Sequence, residues 1–350
     1  MNVRREMRQE IIEEDLTYIT GRNLDWSSFE GKTILITGAN GFLPSYMVET
    51  LLYLNGIKEW KKTHVIGLDR AFEKFSTYHA RDALELIAQD VCAPLTISRH
   101  IDFIIHAASP ASPKYFGMDP VGTLSPNILG TSNLMALAME HVEGFLFFSS
   151  SEVYGCVDDS RIPLAENTSG KLDPTDVRSC YAESKRMGET ICVSWFHQHG
   201  IKAKIVRPFH TYGPGMRLDD GRVFADFVAD IVYNRDIVMK SDGSASRAFC
   251  YVADAVAGFF TVLLRGECGQ AYNVGNDRCE VTILELANTL AGLFPEKGLK
   301  VVKQKLPAAP GYLKSKVSRI CPDISRIRAL GWEPVTGIQK GFIRTIRSFQ

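Results

Sequence analysis

At 350 residues with 45% hydrophobic side chains, the chain can bury one large core or two fused ones, because single cores seldom grow past roughly 250 to 300 residues. Forty Lys and Arg balance forty Asp and Glu, which excludes a global field favouring nucleic acid or an anionic membrane, so any charged ligand must be held locally. No apolar run reaches the ~20 residues that span a bilayer, and the eight cysteines are scattered without a C-x-x-C pair, so the chain reads as soluble and cytoplasmic with no metal site.

The first thirty residues, opening "MNVRREMRQEIIEEDLTYIT", are charged throughout and read as an N-terminal extension. From residue 31 to 207, β-branched runs ("KTILITG", "THVIGLD", "DFIIHAA", "FLFFSSS", "KAKIVRP") alternate with stretches of helical period such as "SYMVETLLYLN". Apolar strands separated by helices predict a doubly wound parallel α/β sheet of Rossmann type, covered on both faces. After Pro208 the pattern loosens into Gly- and Pro-punctuated segments, "TYGPGMRLDDGR", "KSDGSASRAF" and "KQKLPAAPGYLK". Residues 208–350 therefore read as a smaller, mainly substrate-binding α/β lobe, with helices near 222–234 and 282–293 and a strand near 271–275 returning to the main sheet.

Gly38 and Gly41 stand between the first strand and the first helix of that domain, where glycine permits a tight turn and a close approach to a pyrophosphate at the helix's positive end. Pro44 occupies the place usually held by a third glycine. That glycine serves helix packing, and a proline is tolerated in an early helical turn, so the cofactor site is expected to survive. Asp69 ends the next strand and can accept hydrogen bonds from both ribose hydroxyls while repelling a 2′-phosphate, which favours NAD over NADP. Arg70 beside it could receive that phosphate if it turned inward.

In "YAESK", Tyr181 and Lys185 lie at i and i+4 on one helix face, where an ammonium favours phenolate and a phenolate can take a proton from a sugar hydroxyl. Such a pair is common on helix surfaces. What distinguishes this one is the strand "FLFFSSSEVYG", which ends in Ser150, Ser151 and Glu152 at the edge where parallel sheets bind ligands.

Through Gly38-x-x-Gly41, Asp69, "HAASP", "SSSEVYG", "YAESK" and "RPFHTYGPG", the chain resembles the extended short-chain dehydrogenases/reductases of the nucleotide-sugar epimerase/dehydratase family, from about Lys32 to the "LGWEP" ending at Pro334. The resemblance implies a tightly held NAD, a nucleoside-diphosphate sugar and a homodimer formed through a helix pair. It assigns catalysis to Ser150, Glu152, Tyr181 and Lys185. Cofactor contacts fall to Gly38, Asn40, Gly41, Phe42, Leu43, Asp69, Arg70, Asp90, Val91, Ala107, Ala108, Tyr181 and Lys185. Substrate contacts fall to Ser109, Pro110, Ser151, His210, Arg217, Arg222 and Arg247, the arginines suiting a diphosphate.

Within the family these motifs look most like UDP-glucuronate decarboxylases, whose active-site glutamate Glu152 matches. Two departures stand out. Those enzymes carry an arginine two residues before the proline of an R-x-P segment, whereas "SRICPDI" puts Ile320 there and Arg319 one residue earlier. His210 replaces their usual asparagine. Because C4 epimerisation needs no carboxylate-binding arginine, it is the first expectation, ahead of decarboxylation, a 4-ketoreductase and a non-catalytic nucleotide sensor. Ser151 stands where a 4,6-dehydratase has its acid, which disfavours dehydration.

Overall fold

The computed structural model describes residues 2–72, 80–139, 142–304 and 317–350. Most of "KQKLPAAPGYLK" lies outside them. Six strands run through the first part of the chain: β1 (Thr33–Thr37), β2 (His64–Asp69), β3 (Leu84–Ala88), β4 (Phe103–His106), β5 (Gly144–Phe148) and β6 (Ala203–Pro208). Together with Ala271–Val274 they form one seven-stranded sheet, ordered Ala271–Val274, β6, β5, β4, β1, β2, β3. Every pairing in it is parallel. Strands β1, β4 and β5 are buried along their whole length, as a sheet with helices on both faces requires. The order reverses between β1 and β4, and the crevice outside the carboxyl ends at that point is where such sheets take ligands.

β3 was not anticipated. It is an edge strand whose side chains are half-buried or exposed, and "LELIA", with one β-branched residue among helix formers, lacks the β-branched signal that marks its neighbours.

Beyond β6 the chain builds two small sheets. Ser246–Tyr251 lies at the centre of one, flanked by Glu280–Thr282, Arg319–Ile320 and His210–Tyr212; Ile237–Met239 pairs with Val301–Lys303 in the other.

The N-terminal extension is mostly a helix, α1 (Asn2–Thr20), packed against α2 (Phe42–Ile57) and the helices Val252–Arg265 and Ile338–Arg347. Ile11, Ile12, Leu16 and Ile19 are buried beneath it. Asp15 on the same face accepts hydrogen bonds from Tyr251 (2.8 Å), Tyr46 (3.2 Å) and Arg344 (2.7 Å), and Tyr18 donates to Asp254 at 2.6 Å. Charge along this segment therefore coexists with a continuous buried seam. No described helix is long and apolar enough to cross a membrane.

Candidate active site

A cleft of about 1330 Å³ opens along the carboxyl ends of the sheet. Every residue assigned to the site from the sequence lines it. At its floor Gly38 adopts φ +69°, and a Cβ there would meet the backbone of Ala108 at 2.8 Å, so the loops after β1 and β4 touch because this residue has no side chain. Gly41 caps α2 without a side-chain hydrogen bond. The N–H groups of Phe42 and Leu43 thus begin the helix with no partner one turn back, which suits a phosphate. Pro44 lies buried in that first turn, its ring 3.3 Å from where a Gly41 Cβ would be. The substitution alters packing against the turn and spares the donors.

The Asp69 carboxylate is oriented by backbone N–H groups of Asn40 (3.1 Å) and Arg70 (2.7 Å) at the mouth of the cleft. Asp90 accepts from the Cys92 N–H at 2.9 Å, and the Val91 carbonyl takes a hydrogen bond from Asn133 at 3.0 Å, fixing this wall. Ala107 and Ala108 donate to Thr37 at the end of β1. These residues fit a dinucleotide: a glycine cradle, free helix-end donors and an oriented ribose acceptor on successive strand ends.

Ser150 follows the end of β5. Its hydroxyl accepts from the Glu152 N–H at 3.2 Å and faces the cleft together with Tyr181. Tyr181 stacks on Phe116 with centroids 4.9 Å apart and planes 14° from parallel. Arg178, three residues before Tyr181, covers Phe116 at 4.9 Å and donates to Glu152 at 3.1 Å. Neither Phe116 nor Arg178 was picked out from the sequence, although the i, i+3 spacing of Arg178 and Tyr181 was available as a signal.

Lys185 is buried, its Nζ 5.7 Å from the centre of the Tyr181 ring. Its ammonium donates to the Phe148 carbonyl at 2.6 Å, and burial holds its own pKa down to about 7 despite Glu189 nearby. Burial pushes the Tyr181 phenol up, opposed by the Ser150 hydrogen bond and the charges of Arg222 and Arg178.

Ser109 presents a buried hydroxyl without a partner to the cleft, alongside Pro110 and Ser151. The His210 ring is pressed well below the ordinary histidine pKa, chiefly by burial and then by Arg247 and Arg222, so it is a neutral imidazole. Its Nδ1 is buried without a partner.

The arginines differ in what they have left to offer. Arg217 is exposed and paired through two nitrogens with Asp219 (3.0 Å each), so its charge is largely spent. Arg222 bonds the Ala111 carbonyl and Asp220, whereas Arg247 donates to the carbonyls of Ser246, Val317 and Ser318. Arg319 is committed to Glu280 at 2.7 and 2.9 Å, and Ile320 is the residue that lines the cleft.

A parallel sheet with a glycine turn after β1, an acid after β2 and a Ser-Tyr-Lys set converging on one cleft defines an extended short-chain dehydrogenase/reductase. The chain belongs to the NAD dependent epimerase/dehydratase family, whose sequence model matches residues 34–275. It is 37% identical over 314 residues to UDP-glucuronic acid decarboxylase 6 of Arabidopsis thaliana, covering 88% of this chain and 86% of that one. It is 35% identical over 324 residues to UDP-glucuronic acid decarboxylase 1 of Danio rerio, covering 92% and 74%. A solved UDP-glucuronic acid 4-epimerase from Bacillus cereus shares the fold, with TM-score 0.74, 23% identity and coverage of 91% and 98%. The protein is an NAD-dependent enzyme of the nucleotide-sugar epimerase/dehydratase type.

Proposed function

We propose that this enzyme decarboxylates a nucleoside-diphosphate hexuronic acid of the UDP-glucuronate class through a transient 4-keto sugar. The observation that carries the reading is the convergence of Ser150, Glu152, Tyr181 and Lys185 at one end of the cleft, with Arg178 held against Glu152. Decarboxylation moves ahead of epimerisation, the first expectation from sequence, because the extensively similar relatives bear that activity in their names.

NAD, when bound, supplies the reversible acceptor for the C4 hydride. Tyr181 takes the C4 hydroxyl proton, and Ser150 hydrogen-bonds the resulting ketone. That ketone is β to the carboxylate, so the C5–carboxyl bond breaks with its electron pair entering an enolate and CO2 departing. C5 then gains a proton, and return of hydride and proton restores the C4 hydroxyl without net redox change. Lys185 holds the nicotinamide ribose, Arg222 and Arg247 face the diphosphate, and Arg178 holds Glu152 in place through their ion pair. His210, being neutral, acts by shape and hydrogen bonding.

Ile320 favours a second reading, C4 epimerisation of a sugar without a carboxylate, since it presents an apolar wall to the cleft. Purified enzyme incubated with UDP-glucuronate and with neutral UDP-, dTDP-, GDP- and CDP-hexoses separates the two by NMR. CO2 and a UDP-pentose are expected without net NADH. A C4-inverted hexose with no CO2 would replace the first reading by the second, and stoichiometric NAD(P)H consumption would sink both.

We further take residues 31–207 as the NAD-binding part and 208–350 as mainly substrate-binding, and the working form as a homodimer. Val121, Met187 and Val193 support the latter, being exposed on the packed helices Pro120–Ser125 and Cys180–His199.

A further inference from the structure

Residues at i, i+4 and i+7 share one face of a helix; on α1 these are Arg8, Ile12 and Asp15, of which Ile12 and Asp15 are buried and Arg8 is exposed. Asp15 fixes that face through Arg344, Tyr251 and Tyr46. About one and two turns earlier, Ile12 and Arg8 line the wall of the cleft. The position of the Arg8 guanidinium is marked by Gly215, a residue with φ +87° and no side chain of its own to fill the space before it. The point where a Gly215 Cβ would stand is 3.7 Å from an Arg8 nitrogen and 3.9 Å from the Phe42 ring. Arg8 therefore stands across a narrow gap from the first residue of α2. Its charge also reaches Tyr46, one turn further along that helix.

Among the described residues Arg8 has no ion-pair partner, and the carboxylate nearest along its own face, Asp15, is committed to Arg344. The phosphate turn itself offers only backbone donors and a helix dipole, together worth about half a unit charge, while a dinucleotide diphosphate carries two negative charges. Asp69 and Asp90 on the same rim add negative charge. An exposed guanidinium near Phe42 supplies the missing cation, and its planar fork suits phosphate oxygens.

We propose that Arg8 binds the diphosphate of the dinucleotide, making α1 a clasp that slows loss of NAD. The clasp rests on the NAD-binding site and not on the sugar reaction assigned above. It lies outside the region that the family's sequence model matches, which begins at residue 34.

The test compares the native protein with Arg8→Gln and Arg8→Lys, measuring NAD retained through purification and dissociation constants for NAD, ADP-ribose and adenosine by calorimetry. Arg8→Gln is expected to weaken NAD and ADP-ribose by roughly five- to tenfold, as for one partly exposed charge-assisted contact, and to leave adenosine unchanged. Arg8→Lys should recover part of the loss, and the native salt dependence should flatten in Arg8→Gln. Unchanged NAD and ADP-ribose affinities would overturn the proposal. So would an equal loss for adenosine, which would indicate a disturbed fold, or a loss confined to the nucleotide sugar, which would place the cation on the other ligand.

Discussion

Asp15 permits a quantitative test of how α1 is held. The carboxyl is raised from 3.8 to about 6, chiefly by burial, against the pull of Arg344 and hydrogen bonds from Tyr251 and Tyr46. An acid whose folded pKa exceeds its unfolded value binds its proton more tightly in the folded state. Its stabilising contribution is fully present below about pH 3.8 and is lost as pH rises through about 6. Roughly two pKa units at about 1.36 kcal/mol each correspond to about 3 kcal/mol over that window. Asp15→Asn cannot titrate, so its stability relative to the native chain should climb by about that amount between the two limits, whatever offset the lost charge introduces. Urea unfolding of both proteins at a series of pH values and fixed NAD concentration measures the difference. A difference that does not change with pH would refute the reasoning, and one that falls as pH rises would show that Arg344 outweighs burial.

Tyr181→Phe removes the group that takes the C4 proton and should lower turnover by roughly 10²- to 10⁴-fold while leaving NAD affinity within a small factor. A non-catalytic sensor would be indifferent to this change in a nucleotide-sugar binding assay, and unaltered turnover would remove Tyr181 from the mechanism. For the proposed dimer, a Val121→Glu, Met187→Glu variant should sediment as a monomer where the native chain sediments as a dimer, because buried unpaired carboxylates oppose association. A monomeric native chain, or a dimeric variant, would reject that interface.

The frame of the site was legible because its residues announce themselves by position. A glycine turn after one buried strand, an acid after the next, and a tyrosine and lysine four apart need no tertiary knowledge to be placed together. Three things were not legible. β3 is an exposed edge built mostly of helix-forming residues, which hides its strand character. α1 carries charges at such density that its buried seam is masked, and the burial of Asp15 depends on an arginine near the other end of the chain. The state of each arginine also depends on its neighbours in space: Arg217 reads as a candidate anion binder, yet Asp219 already holds it, while Arg178 went unnoticed. The spacing of Tyr181 and Lys185 reports which face each side chain takes and says nothing of the burial that pushes the phenol up and the ammonium down.

The strand Ala271–Val274 completes the main sheet beside β6. During synthesis on the ribosome, β6 emerges and waits for more than sixty residues of intervening chain before its neighbour exists. Until then its outer row of N–H and C=O groups is an open edge, able to pair with another nascent chain. The delay is longer for α1, whose Asp15 meets Arg344 across 329 positions. The first helix to be made is thus among the last to find its place. Cutting the gene after β6 would yield two fragments, each lacking surfaces that only the other can cover.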